Sequence, residues 1–168
     1  MDVRPQLQGV VVRRMQRDDV SALETVFSQM SDQSRYQRFL VPTPRLLASM
    51  RRSLLDLSDR HVAFVAESVV SGTAIGIGRY VVTGPGEVEI ALDVVDAWQR
   101  RGVGRMLLEH VVHAAGTAGM NRLVAVTAPD NRAFLGLARA CLPGVEIRLR
   151  DRMVWLTTAL PTSAGAAA

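Results

Sequence analysis

The sequence of 168 residues contains no lysine, so the 20 residues counted as lysine or arginine are all arginine. It contains a single cysteine, Cys141. One cysteine excludes an internal disulfide, and no group of cysteine and histidine has the spacing of a metal site. No apolar run reaches the ~20 residues that a membrane-spanning helix needs. The N-terminal stretch carries Asp2 and lacks the apolar core of a secretory signal. These absences predict a soluble, cytoplasmic protein without a membrane partner or a bound metal.

The charge of the chain is positive, with a formal net value of +4. Arginine binds phosphate through its planar guanidinium group, which favours an anionic ligand. A genome rich in G and C would produce the same preference for arginine. The arginines are scattered among few aromatic residues, and no zinc-finger or RNA-recognition signature is present, so a nucleic-acid partner is not predicted.

The first half of the chain alternates apolar strand patterns with helical ones. Its predicted order is a strand at 10–15, a helix capped by Asp18 or Asp19, a polar connector at 31–44, a helix at Arg45–Leu57, a hairpin at 61–82 and a strand at 87–95.

The second half continues with a loop and helix, a buried strand at 121–128, a helix from Asn131 and two closing strands that turn near Asp151. This strand–helix order is typical of the α/β class. We expect one domain over residues 1–160 and a disordered tail at 161–168, which has no large apolar side chain to bury.

The most informative stretch is WQRRGVGR, Trp98–Arg105, between a predicted strand and a predicted helix. Glycine costs a helix about 1 kcal/mol relative to alanine, so two glycines at a helix start call for another explanation. The unpaired N–H groups of a helix start attract anions, and Gly102 and Gly104 would let a phosphate approach the backbone. A Walker loop is excluded by the absence of lysine, and a dinucleotide fingerprint needs a small residue where Leu107 stands. The stretch predicts a phosphate-binding loop; the alternative is a glycine-rich helix start without a ligand.

The pattern Gln99-x-x-Gly102-x-Gly104 resembles the Q/R-x-x-G-x-G/A pyrophosphate loop of the GNAT family of N-acetyltransferases, and the order of elements is similar over nearly the whole chain. The resemblance implies an α/β fold with a central mixed, splayed β-sheet flanked by helices. It also implies acetyl-CoA as the cosubstrate, with the Val94 amide polarising the thioester carbonyl. The residues implied to hold acetyl-CoA are Leu92, Val94, Gln99, Arg100, Arg101, Gly102, Val103, Gly104, Arg105 and Asn131.

Three stretches, SDQSRYQRF, EIALDVVDAWQRRGVG and NRAFLGLAR, resemble the acetyltransferase domain of bacterial protein-lysine acetyltransferases that act on acyl-CoA synthetases. The resemblance implies a protein lysine as acceptor and Glu89 as the general base, acting through water. Apolar neighbours predict partial burial of Glu89, which would favour proton uptake. A surface glutamate is the alternative for Glu89, and Glu87 is the alternative base. Ala138 stands where many N-acetyltransferases carry a tyrosine acid.

Two other functions remain open at this point. A small-molecule amine acetyltransferase would share the acetyl-CoA site and differ in the acceptor groove. A non-catalytic acyl-CoA-binding regulatory module would keep the loop without using Glu89 as a base. The sequence leaves open whether the protein forms a homodimer.

Overall fold

The computed structural model describes residues 8–161, so the predicted tail lies outside the described residues except for Pro161. Within this described part, the fold has five α-helices and seven β-strands. The strands are β1 Val10–Arg14, β2 His61–Ser68, β3 Ala74–Gly84, β4 Glu87–Val94, β5 Arg122–Thr127, β6 Glu146–Arg150 and β7 Met153–Ala159. The helices are α1 Val20–Ser28, α2 Asp32–Phe39, α3 Ala48–Leu55, α4 Val103–Thr117 and α5 Arg132–Cys141.

The strands form one sheet in the order β1-β2-β3-β4-β5-β7-β6. All neighbours pair antiparallel except β4 and β5, which are parallel. The β4–β5 ladder has only three pairs, joining Glu87–Glu89 to Arg122–Val124, and the two strands diverge from Ile90 onward. The predicted mixed, splayed α/β sheet is therefore confirmed.

Helix α4 packs closely on β3 because two glycines of that strand leave room for it. A β-carbon at Gly76 would lie 3.0 Å from Leu107 Cδ1, and one at Gly78 would lie 3.1 Å from Val111 Cγ2. Leu107 and Val111 are fully buried in this contact. The close packing fixes the start of α4 beside the end of β4, where the glycine loop lies.

The prediction of a polar connector at 31–44 was wrong for its first half, which forms α2. Ser31 caps this helix by accepting a hydrogen bond from the Ser34 N–H at 3.2 Å. Asp32 in the first turn and Arg38 in the last complement the helix dipole. No residue of α2 is fully buried, so the helix has no broad apolar stripe for periodicity to detect.

Helices α1 and α3 differ from prediction in detail. Asp19 occupies the position before α1, but its carboxylate does not cap the helix. It accepts hydrogen bonds from the Arg13 guanidinium at 2.8 Å and from the Gln16 N–H at 2.7 Å. Helix α3 is shorter than the predicted 45–57 and begins only at Ala48.

The two closing strands agree with expectation. Asp151 and Arg152 both adopt positive φ between β6 and β7, as a tight two-residue hairpin turn requires. Within residues 8–161, no helix combines the length and the apolar character needed to cross a bilayer.

Candidate active site

The divergence of β4 and β5 opens a cleft of about 600 Å³. Its walls come from α2, β4, the loop before α4, the end of β5 and the start of α5. The predicted site residues that line it are Glu89, Leu92, Val94, Gln99, Arg100, Gly102, Gly104, Arg105 and Asn131.

Two predicted residues do not line the cleft. Arg101 places its guanidinium over the Trp98 ring, 5.5 Å from the ring centroid. Val103 is fully buried and packs in the core with Met106 and Leu107. The side chains of Arg101 and Val103 therefore stabilise the loop by contacts on the side that faces away from the cleft.

The main chain of β4 presents free polar groups to the cleft. Val95 donates its N–H to Ile75 O of the neighbouring segment at 3.0 Å. Because polar groups alternate between the two sides of a strand, Leu92 and Val94 direct theirs the opposite way, toward the gap left by β5, where Val94 O accepts a hydrogen bond from Gln99 Nε2. An extended ligand can pair with these groups as an added strand would.

The start of α4 presents a second set of free N–H groups. Gly102 precedes the helix with φ 93°, a left-handed conformation that glycine adopts without strain. The first helical hydrogen bond runs from Met106 N–H to Gly102 O at 3.0 Å. The N–H groups of Val103, Gly104 and Arg105 have no acceptor among residues 8–161. Together with the helix dipole, they form a site suited to phosphate.

Gln99 and Asn131 hold the walls of the cleft together. Gln99 Nε2 donates to Val94 O at 3.0 Å and to Ser34 Oγ at 3.2 Å. Asn131 Nδ2 donates to Thr127 Oγ1 at 2.8 Å, and Asn131 Oδ1 accepts from Phe134 N–H at 3.1 Å. Both amide side chains line the cleft while they bridge the elements on either side of it.

Glu89 lies at the last pair of the β4–β5 ladder, where the strands part. The expectation of partial burial was wrong, since Glu89 is exposed. The reason is that Val88 and Ile90 point to the opposite face of the strand and so cannot cover it. The Glu89 carboxylate makes no hydrogen bond or ion pair with another described residue. Glu87, in contrast, pairs with Arg122 at 3.3 Å and accepts a hydrogen bond from Thr83.

A buried charge cluster beneath α2 was missed by sequence reasoning. Arg38 Nε lies 2.8 Å from Asp93 Oδ1, and an Arg79 terminal nitrogen lies 3.3 Å from Asp93 Oδ2. Burial lowers the pKa of the Arg79 guanidinium to about 10, although the charge of Asp93 opposes this shift. The available signal was a charged residue inside each of two apolar strand patterns, IGRYV and ALDVV. The partner on α2 lies too far along the chain for a local pattern to reveal it.

Groups of three or more side chains able to hold a metal ion do not occur in the described part of the chain. The free N–H groups at the start of α4 and along β4 instead match a ligand with phosphates and an extended amide-bearing arm. Acetyl-CoA has both parts, so the residues present fit this cosubstrate.

Comparison with known proteins decides the family. The sequence model of the acetyltransferase (GNAT) family matches residues 25–142, which is more than half of the chain. The chain belongs to the GNAT family. This GNAT protein is an acetyl-CoA-dependent N-acetyltransferase.

Three relatives illustrate the similarity. An acetyltransferase of Pseudomonas aeruginosa is 26% identical over 78% of this chain and 73% of its own. The crystal structure of the GNAT domain of S. lividans PAT is 31% identical, covers 89% of both chains and superposes with a TM-score of 0.81. A cAMP-binding acyltransferase from Mycobacterium smegmatis shares the fold at 21% identity and a TM-score of 0.64, over 95% of this chain and 46% of its own.

Proposed function

We propose that this GNAT acetyltransferase transfers the acetyl group of acetyl-CoA to a protein lysine, with Glu89 as the general base. One observation carries the proposal. Glu89 is the only acidic residue among the described residues that line the cleft, and its carboxylate has no protein partner there. A carboxylate at the point where the strands part lies beside the free main chain of β4, where the thioester would bind.

The chemistry is a direct transfer in one ternary complex. The amine nitrogen attacks the thioester carbonyl, a C–N bond forms, and the C–S bond breaks. The Glu89 carboxylate takes the amine proton through a water molecule, and CoA leaves as its thiolate. Thiols titrate near pH ~8.5, so the leaving group needs no tyrosine acid where Ala138 stands. The N–H of Val94 donates to the carbonyl oxygen as negative charge develops on it.

The remaining cleft residues would hold the cosubstrate. The pyrophosphate fits the free N–H groups of Gly104 and its neighbours, with Arg100 and Arg105 adding positive charge. The pantetheine arm would run along the β5-facing side of Leu92 and Val94, close to Asn131. The cleft also carries Arg38 and Arg132, so arginine is the dominant charged residue of its lining.

A protein lysine is the acceptor best supported. The chain is 31% identical to the GNAT domain of S. lividans PAT over 89% of both chains. This sequence identity is higher than that of relatives that share only the fold. The narrower sequence resemblance points to a metabolic acyl-CoA synthetase as the protein that carries the lysine. The cytoplasm, where such enzymes work, is the proposed location.

The test uses radiolabelled acetyl-CoA in a lysate of the source organism, followed by a denaturing gel. The wild type is expected to label discrete protein bands, and Glu89→Gln to lower the labelling rate at least about 100-fold, the typical contribution of a general base. Glu24→Gln, which removes a carboxylate of α1 outside the cleft, serves as the matched control. Glu87→Gln tests the alternative base.

Each other outcome points to a different function. Undiminished labelling by Glu89→Gln would remove Glu89 from the mechanism. A blank gel with CoA release in the presence of small amines would identify a small-molecule acetyltransferase. Acetyl-CoA binding without any turnover would identify a non-catalytic module.

A further inference from the structure

The charge cluster beneath α2 has one more positive than negative group. Arg38 and Arg79 share the single carboxylate of Asp93. The side chains of Arg79 and Asp93 are 3% and 6% exposed, and that of Arg38 is 18% exposed. Buried charges are normally paired, and here one guanidinium charge has no partner of its own.

The other groups around the cluster are neutral: the Arg38 guanidinium lies over the Phe39 ring, 4.9 Å from its centroid, and Arg79 donates a hydrogen bond to Leu54 O at 3.4 Å. Asp93 is the only carboxylate among the described residues within ion-pair distance of Arg38 or Arg79. His61 approaches from β2, but burial, and then the charge of Arg79, lower its pKa and hold it neutral near pH 7. The Nε atoms of both arginines are buried without a well-directed hydrogen bond. The cluster therefore lacks an anion.

The position of Arg38 indicates that the missing anion would enter through the cleft. Arg38 lines the cleft from α2, whereas the N–H groups suited to phosphate lie at the start of α4. Asp93 shares one face of β4 with Ala91 and Glu89, because side chains alternate along a strand. Asp93 and Glu89 are four positions apart on the strand, which corresponds to roughly 13 Å between their α-carbons. Arg38 thus lies on the same side of the sheet as Glu89, the residue that we propose takes the proton of the acceptor amine.

We propose that Arg38 binds a carboxylate of the acceptor, so that the preferred acceptor carries an acidic group close to its amine. The inference rests on the proposed protein-lysine acetylation. Arg38 contacts Asp93, whose α-carbon lies roughly 13 Å along β4 from that of Glu89, a spacing that about four residues of an extended peptide would span. We therefore expect the acidic residue a few positions from the acetylated lysine. Arg38 is a specificity residue, and Asp93 with Arg79 positions its guanidinium.

The test is a binding measurement that needs no catalysis. CoA-loaded protein is titrated with lysine peptides in which a single glutamate is moved from one to four positions on either side, each matched by its glutamine counterpart. The wild type is expected to bind at least one glutamate peptide fivefold or more tightly than its counterpart. Arg38→Gln should lose this preference, and Arg38→Lys should recover part of it because the positive charge returns.

Arg52→Gln is the matched control, since Arg52 is an exposed arginine of α3 outside the cleft. It should keep the preference of the wild type. Arg38→Gln leaves Asp93 and Arg79 as a one-to-one pair, so the fold is expected to persist, and circular dichroism checks this. Equal binding of glutamate and glutamine peptides by the wild type, or no peptide binding at all, would overturn the proposal. So would a preference that survives in Arg38→Gln.

A second arm separates an acceptor carboxylate from one on the acyl chain. Succinyl-CoA and acetyl-CoA are compared for binding to the wild type and Arg38→Gln. A loss confined to succinyl-CoA, with the peptide preference intact, would assign Arg38 to the acyl group and refute its role toward the acceptor. Both arms measure binding, which does not depend on a general base. A failed role for Glu89 would therefore appear in the labelling rate, and a failed role for Arg38 would appear in the binding preference.

Discussion

The two glycines of the proposed phosphate loop, Gly102 and Gly104, should respond in opposite directions to the same substitution. Gly102 has φ 93°, a conformation that costs an alanine about 1–2 kcal/mol. Gly104 lies inside α4, and a β-carbon there would meet Leu137 Cδ2 at 3.4 Å and Val94 Cγ2 at 3.8 Å, which are ordinary contact distances. Alanine at 104 therefore gains up to about 1 kcal/mol of helix propensity without a steric cost.

The predicted difference in unfolding free energy between Gly102→Ala and Gly104→Ala is about 2 kcal/mol, taken from the sum of these two effects. With a urea m-value of about 2 kcal/mol/M, typical for a domain of this size, the midpoints should lie about 1 M apart on either side of the wild type. Urea unfolding followed by circular dichroism measures both midpoints. A Gly104→Ala variant less stable than wild type, or two variants of equal stability, would refute the conformational argument.

Two further predictions concern the buried cluster. Asp93→Asn should lower the unfolding free energy by about 3–5 kcal/mol in urea titrations, because it leaves Arg38 and Arg79 without a counter-charge; a loss below 1 kcal/mol would contradict this. The folded protein holds the pKa of His61 below its usual value through burial and the charge of Arg79. The unfolded chain therefore binds the proton first, and the unfolding free energy should fall as the pH drops from about 6.5 toward the lowered value. His61→Gln should flatten that slope between pH 6.5 and 5.5, and an unchanged slope would exclude His61 as its source.

The sequence was sufficient for the elements that form the floor of the cleft and its glycine loop. The β4 strand, the loop at Gln99–Gly104 and helix α4 each have a local signal: an apolar strand pattern, paired glycines and helical periodicity. Helix α2 was missed because a polar helix without buried residues has no apolar stripe, and its cap at Ser31 resembles an ordinary turn. Its composition does carry a weaker signal, acidic at the start and basic at the end.

Side-chain environment was harder to predict than backbone. The burial of Glu89 was misjudged from its neighbours along the chain, although in a strand the relevant neighbours are two residues away or on the next strand. Likewise, the contact of Arg38 with Asp93 joins a helix and a strand separated by more than fifty residues. Such contacts depend on the packing of the whole domain, which local patterns do not encode.

The three-pair ladder between β4 and β5 leaves the middle of the sheet incomplete. The gap exists only in the folded protein. A ligand that hydrogen-bonds to the main chain in this gap therefore binds the folded state and not the unfolded chain. At a concentration a hundred times its Kd, such a ligand adds about 2.7 kcal/mol to the unfolding free energy. With acetyl-CoA as the proposed ligand of this gap, the resistance of the protein to proteolysis should rise with the concentration of its own cosubstrate.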